Sequence, residues 1–103
     1  VPKVENIHQK VYAAASQKDA FDMSAWHTCD TTHCRAGWVV TLAGEEGKKL
    51  EEFFNTPLAA HLIYRESSPL KVGMNKFYEN ANEALADMKR LAEEEIKLNK
   101  VLA

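Results

Sequence analysis

The sequence contains no apolar run approaching the roughly twenty residues that a membrane-spanning helix requires. Its opening, VPKVENIHQK, lacks the apolar core of a signal peptide. The expected address is therefore the cytoplasm, with no membrane contact. No charge of one sign dominates either, since thirteen Lys and Arg stand against fifteen Asp and Glu for a formal net charge of −2. A chain so balanced has no global field to gather phosphate backbones, which argues against generic nucleic-acid binding. Only two cysteines are present, too few for a disulfide scaffold, although a single bridge remains open. Neither G-x-x-x-x-G-K nor G-x-G-x-x-G occurs around Gly44 and Gly47, so there is no phosphate cradle. Internal repeats and low-complexity runs are absent as well.

What remains is a chain of 103 residues, 46% of them hydrophobic, which is enough for one packed core and leaves no room for a second. Apolar residues at helical spacing predict a first helix over Lys3 to Ser16, with Val4, Ile7, Val11, Tyr12 and Ala15 on one face. The stretch QKDAFDMSAWHTCDTT breaks that rhythm and reads as an ordered loop anchored by Phe21, Met23 and Trp26. A second, central helix is expected from Thr31 or Thr32 to Gly44, a short third over Glu45 to Phe54, and a fourth over Pro57 to Glu66, with Thr56 as its cap. Leu70 to Glu79 reads as loop. The last helix opens on Asn80 with Glu83 three residues on, a capping-box arrangement, and carries the stripe Ala81, Ala84, Leu85, Met88, Leu91, Ala92 and Ile96. Glu93, Glu94 and Glu95 read as a solvated face, His8 as half-exposed, and His61 as a polar-face or hydrogen-bonded core residue. The resulting fold class is all-α: a compact array of about five helices in a single domain spanning 1–103.

The segment WHTCDTTHCRAGW, from Trp26 to Trp38, collects both cysteines, both tryptophans and two of the four histidines. Its plainest reading is structural. Cys29 and Cys34 are residues readily buried, Trp26 and Trp38 pack on either side of the turn, and Ala36-Gly37 lets a neighbour approach the backbone closely. A disulfide is a variant of that reading, because an irregular turn between the cysteines can bring them into bridging range.

Metal binding is the second reading, since zinc takes thiolate and imidazole ligands and His27, Cys29, His33 and Cys34 supply two of each. Four ligands so close together must wrap the ion almost alone, which argues against the full set. A version built on Cys29 and Cys34 with distant His61 or His8 is sterically easier but matches no motif. Thiol catalysis is the third reading. It places Cys34 in the first turn of its helix, with Arg35 and His33 lowering its pKa. A c-type haem site is excluded, because CDTTHCR lacks both the two-residue gap and a histidine after the second cysteine.

Phe21, Asp22, Met23, Trp26, Cys29, Thr31, Cys34, Ala36, Gly37 and Trp38 form an F-D-M-x-x-W lead into C-x-T-x-x-C-x-A-G-W. In this the chain resembles a family of small, uncharacterised helical proteins of bacteria and phages. The resemblance extends through LAGEEGKKLEE, AAHLIYRESSP and the last helix. It implies a joint role for the two cysteines and no activity that transfers. Where such proteins carry glycine after the first cysteine this chain has Asp30, and the position of His33 varies among them.

The expectation is thus a non-enzymatic helical module that binds a protein partner or self-associates, needs no cofactor, and uses the Cys29/Cys34 turn as a structural clasp. The alternative is a zinc-binding or thiol-redox protein built on the same cluster.

Overall fold

A computed structural model describes residues 1–103. Five α-helices are present: α1 (Ile7–Ala15), α2 (Arg35–Leu42), α3 (Gly44–Phe53), α4 (Thr56–Ser67) and α5 (Ala81–Leu102). The all-α description is too narrow by one element. A small antiparallel hairpin of β1 (His27–Cys29) and β2 (Thr32–His33) precedes α2.

The differences in helix bounds have local causes. Asn6 adopts the left-handed conformation, with φ of 55°, and so α1 begins at Ile7 rather than Lys3. The central helix starts at Arg35 because the backbone of Thr32 and His33 is already committed to the hairpin ladder, which leaves Cys34 to cap the helix. Gly44, at φ of 68°, makes the sharp corner between α2 and α3 that side-chain-bearing residues adopt at a cost. Asn55 rather than Thr56 caps α4, its Oδ1 accepting from the Leu58 amide at 2.9 Å. Residues Met74–Tyr78 coil into a 3₁₀ turn in the stretch that reads as loop. The Asn80 cap of α5 is present, with Oδ1 accepting from the Glu83 amide at 2.9 Å and the Glu83 carboxylate returning to the Asn80 side chain.

α1 packs along α5, and α2 along α4. A single core cluster of 17 buried residues runs through all four, including Ile7, Val11, Val39, Ile63, Met88 and Leu91. The radius of gyration of 12.5 Å matches the ~13 Å of a single compact domain this long. No helix is long and apolar enough to cross a membrane.

Two polar residues inside this core fix the frame of the site. Arg35, fully buried at the start of α2, donates from Nη1 to Asp87 Oδ2 on α5 at 2.7 Å and from Nε to the Tyr64 hydroxyl on α4 at 3.1 Å. One guanidinium thereby joins three helices. Glu95 is buried rather than solvated, and its carboxylate accepts from the amides of His8 and Gln9, at 3.3 and 3.0 Å. It supplies, from α5, the cap that left-handed Asn6 does not give α1. His8 is correspondingly buried rather than half-exposed, stacked on Tyr64 with ring centroids 5.2 Å apart. Burial lowers its pKa, against the opposing pull of Glu95.

Candidate functional site

The hairpin brings His27 and His33 directly opposite one another, in the register where cross-strand side chains meet. It is held from three sides by its backbone. His33 donates its amide to the Ala20 carbonyl at 3.2 Å, Asp22 donates to the His33 carbonyl at 3.2 Å, and Cys34 donates to the Trp26 carbonyl at 3.1 Å. Trp38 on α2 donates its indole N–H to the Ala20 carbonyl at 2.7 Å, so the loop before the hairpin is pinned to the central helix. Gly37 makes that docking possible. A Cβ there would lie 2.0 Å from the Trp26 carbonyl oxygen and 3.1 Å from His27 Nδ1. The close approach expected of Ala36-Gly37 is real, and its partner is the hairpin rather than another helix.

Within the hairpin the two imidazoles meet through their Nδ1 atoms at 2.7 Å. The other nitrogen of each ring is tied from behind. His27 Nε2 lies 2.6 Å from Glu51 Oε2 on α3, an oxygen that also accepts from the Thr56 hydroxyl at 2.7 Å. His33 Nε2 lies 3.0 Å from the Asp30 carbonyl oxygen. His33 is buried, with its ring edge-on to both His27 and Trp38, whereas His27 is exposed.

The Asp30 carbonyl oxygen can only accept, so His33 donates to it from Nε2, and its Nδ1 is left facing Nδ1 of His27.

The cysteines do not form the disulfide that the turn between them leaves open. Both are free, Cys29 exposed and Cys34 buried. No bridge links them, because Cys34 Sγ points into α2, accepting from the Gly37 amide at 3.3 Å as the helix cap. In that position Cys34 caps the central helix. The activated-thiol reading of Cys34 is corrected, since burial raises its pKa and Arg35 is turned away to Asp87 and Tyr64. The lowered thiol is Cys29 instead. Hydrogen bonds from Thr32 and then Thr31 bring its pKa down to about 7.

Of the four residues named as zinc ligands, the structure brings His27 and His33 together and sends Cys34 to the helix cap. Nowhere do three His, Cys, Asp or Glu side chains converge on one point. His8 and His61 are not part of the cluster: His8 stacks in the core and His61 sits half-buried on α4. Trp26 meets Tyr78 edge-on, 5.8 Å between centroids, on the far side of the hairpin.

Two grooves border the imidazole pair. One, of about 430 Å³, is lined by His27, Cys29, His33, Glu45, Lys48 and Glu51. The other, of about 770 Å³, runs between Met23, Trp26, Phe77 and Tyr78, and shares His27 and Glu51 with the first. Glu51 and Thr56 do not stand out in the sequence. The available signal is the spacing of Gly44, Lys48 and Glu51, which places them on one face of α3, the face turned to the hairpin. No protein-family model, no curated protein and no solved structure matches this chain.

Proposed function

We propose that the chain is a small non-enzymatic helical binding protein whose hairpin holds a divalent transition metal of the zinc class through Nδ1 of His27 and Nδ1 of His33. The observation that carries this reading is the pair of facing Nδ1 atoms, 2.7 Å apart, with each Nε2 fixed by an acceptor. Metal-binding histidines characteristically hold their other nitrogen against a carboxylate or a backbone carbonyl, which sets tautomer and ring orientation. Glu51 and the Asp30 carbonyl stand in those two positions.

The alternative occupant of the gap is the hydrogen of an Nδ1-to-Nδ1 hydrogen bond. A dication replaces it directly, with both Nε2 atoms then donating to their acceptors. With zinc–nitrogen bonds of about 2.0–2.1 Å and tetrahedral angles, the Nδ1 atoms stand about 3.3 Å apart. A separation of about 0.6 Å beyond the present contact is within reach of small ring rotations, since His27 is exposed.

Titration of metal-free protein with zinc against a chromophoric chelator tests the reading. One zinc per chain is expected, with binding lost in His27→Ala and in His33→Ala. No saturable binding, or equal affinity in both variants, overturns it.

A second reading rests on a separate observation. Phe53 and Phe54, 79% and 44% exposed, stand together at the α3–α4 corner beside Thr56 on the wall of the larger groove. Larger exposed apolar patches mark association surfaces, and on this reading the Phe53-Phe54 pair seats a second copy of the chain. Sedimentation equilibrium should then reveal a concentration-dependent dimer that Phe53→Ser/Phe54→Ser lacks. A monomer at every concentration contradicts self-association.

A further inference from the structure

We infer that the larger groove is a binding site for a small quaternary ammonium ion of the choline type, seated against the faces of Trp26 and Tyr78 with the Glu51 carboxylate beside it. The site shares Glu51 with the metal reading above but does not depend on it.

Three observations carry the inference. The first is the shape of the aromatic wall. Trp26, at the entry to β1, and Tyr78, at the end of the 3₁₀ turn, stand nearly perpendicular, with 78° between their planes and 5.8 Å between centroids. Two rings at right angles make a corner rather than a flat stack, and a cation in that corner lies within the roughly 6 Å of a ring face at which the negative quadrupole attracts it. Tyr78 is not held there by the core. Its ring is 67% exposed, whereas neighbouring Phe77 is buried.

The second is charge. Glu51 is the only carboxylate lining this groove, and no lysine or arginine lines it. Both contacts of that carboxylate, with His27 Nε2 and the Thr56 hydroxyl, fall on Oε2, which leaves Oε1 free. The Glu51 side chain is only 19% exposed, so solvent screens its charge poorly. Lys76, on the same turn as Tyr78, directs its ammonium to Glu79 and Asp87, at 3.3 and 3.9 Å, rather than into the groove.

The third is the match of lining to ligand. Met23, Trp26 and Phe77 offer methyl groups apolar contact. A quaternary nitrogen has no hydrogen that needs an acceptor, whereas a primary ammonium brings three. The groove volume of about 770 Å³ is that of a small-molecule site, which favours a free ligand over a modified peptide.

Proton–nitrogen NMR of the full chain titrated with choline tests the inference, with dimethylbutanol, the neutral isostere carrying carbon in place of nitrogen, as the control. Choline should shift the Trp26 indole N–H saturably and leave that of Trp38, bound to the Ala20 carbonyl, in place. The neutral alcohol should bind at least about tenfold more weakly, because it has no charge for the ring faces to attract. Tyr78→Ala should weaken choline and Tyr78→Phe should retain it. Glu51→Gln should weaken choline and leave the alcohol unaffected. No saturable shift of Trp26, an alcohol that binds as tightly as choline, or choline affinity unchanged in Tyr78→Ala overturns the inference. A trimethyllysine peptide bound more tightly than choline overturns the assignment to a small free ligand.

Discussion

Arg35 Nη1 meets Asp87 Oδ2 at 2.7 Å with the guanidinium wholly buried, tying the first residue of α2, next to the Cys34 cap, to the N-terminal third of α5. Removing one partner of such a pair strands a buried charge. Asp87→Asn or Asp87→Ala should therefore cost about 3–5 kcal/mol in urea denaturation. Arg35→Met with Asp87→Leu should recover most of that, since well-packed apolar replacements remove both charges. The pair also sets a pH dependence. Burial raises the Asp87 pKa, but hydrogen bonds from Arg35 and Arg90 outweigh it and hold the carboxyl below its usual value. The stability it contributes is present above the unfolded value of about 3.9 and is lost as pH falls below that, through the folded pKa. Wild-type stability should decline over that acid window, and Asp87→Asn should show a shallower decline.

Cys29 and Cys34 should behave as two different thiols. The Cys29 pKa of about 7 predicts that its alkylation by iodoacetamide in metal-free protein rises with pH through neutrality and levels off above it. Cys34, buried and with its pKa raised, should react only after unfolding. Peptide mapping by mass spectrometry separates the two, and equal labelling at pH 7 contradicts the assignment.

Gly37→Ala tests the docking of hairpin to helix. The added Cβ meets the Trp26 carbonyl oxygen at 2.0 Å, backbone that has no soft direction in which to yield. Stability should fall by about 1–3 kcal/mol from overpacking, and the contact at 3.1 Å with His27 Nδ1 means that zinc affinity should fall with it. Gly44→Ala, strained in its backbone but with open space around it, serves as the comparison, and should lose stability with zinc affinity kept.

Glu95→Ala should loosen α1 from α5. The variant leaves the His8 and Gln9 amides without the acceptor that now satisfies them, at a cost of about 1–3 kcal/mol. Hydrogen exchange at those two amides should accelerate more than at Val11 in the interior of the helix. Uniform acceleration along α1 would instead mark global destabilisation.

The parts of this molecule legible in its sequence are those governed by local rules. The Asn80 cap followed by Glu83, and the buried Ala84, Met88, Leu91 and Ala92 of α5, follow from spacing alone. Ile96 departs from the stripe, 42% exposed, because Glu95 takes the inward position to reach α1. That contact spans 86 residues, and nothing in a window of the chain announces it. The hairpin escaped for a similar reason. Its strands are three and two residues long, and they are stabilised by backbone contacts to Ala20 and Asp22 rather than by an apolar alternation. The segment Trp26 to Trp38 stands out in the sequence because it collects both cysteines, both tryptophans and two of the four histidines. Its pairing does not, because the thiols stand out by rarity while the imidazoles are set opposite each other by a register shift and braced by Glu51 from α3.

The most direct measurement is nitrogen-15 NMR of the imidazole rings during a zinc titration of metal-free protein, with His27 and His33 assigned by single His→Gln variants. One equivalent of zinc should shift Nδ1 of both His27 and His33 to metal-bound positions while both Nε2 atoms carry hydrogen. Unchanged Nδ1 resonances on these two rings, or ligation through Nε2, would contradict the account.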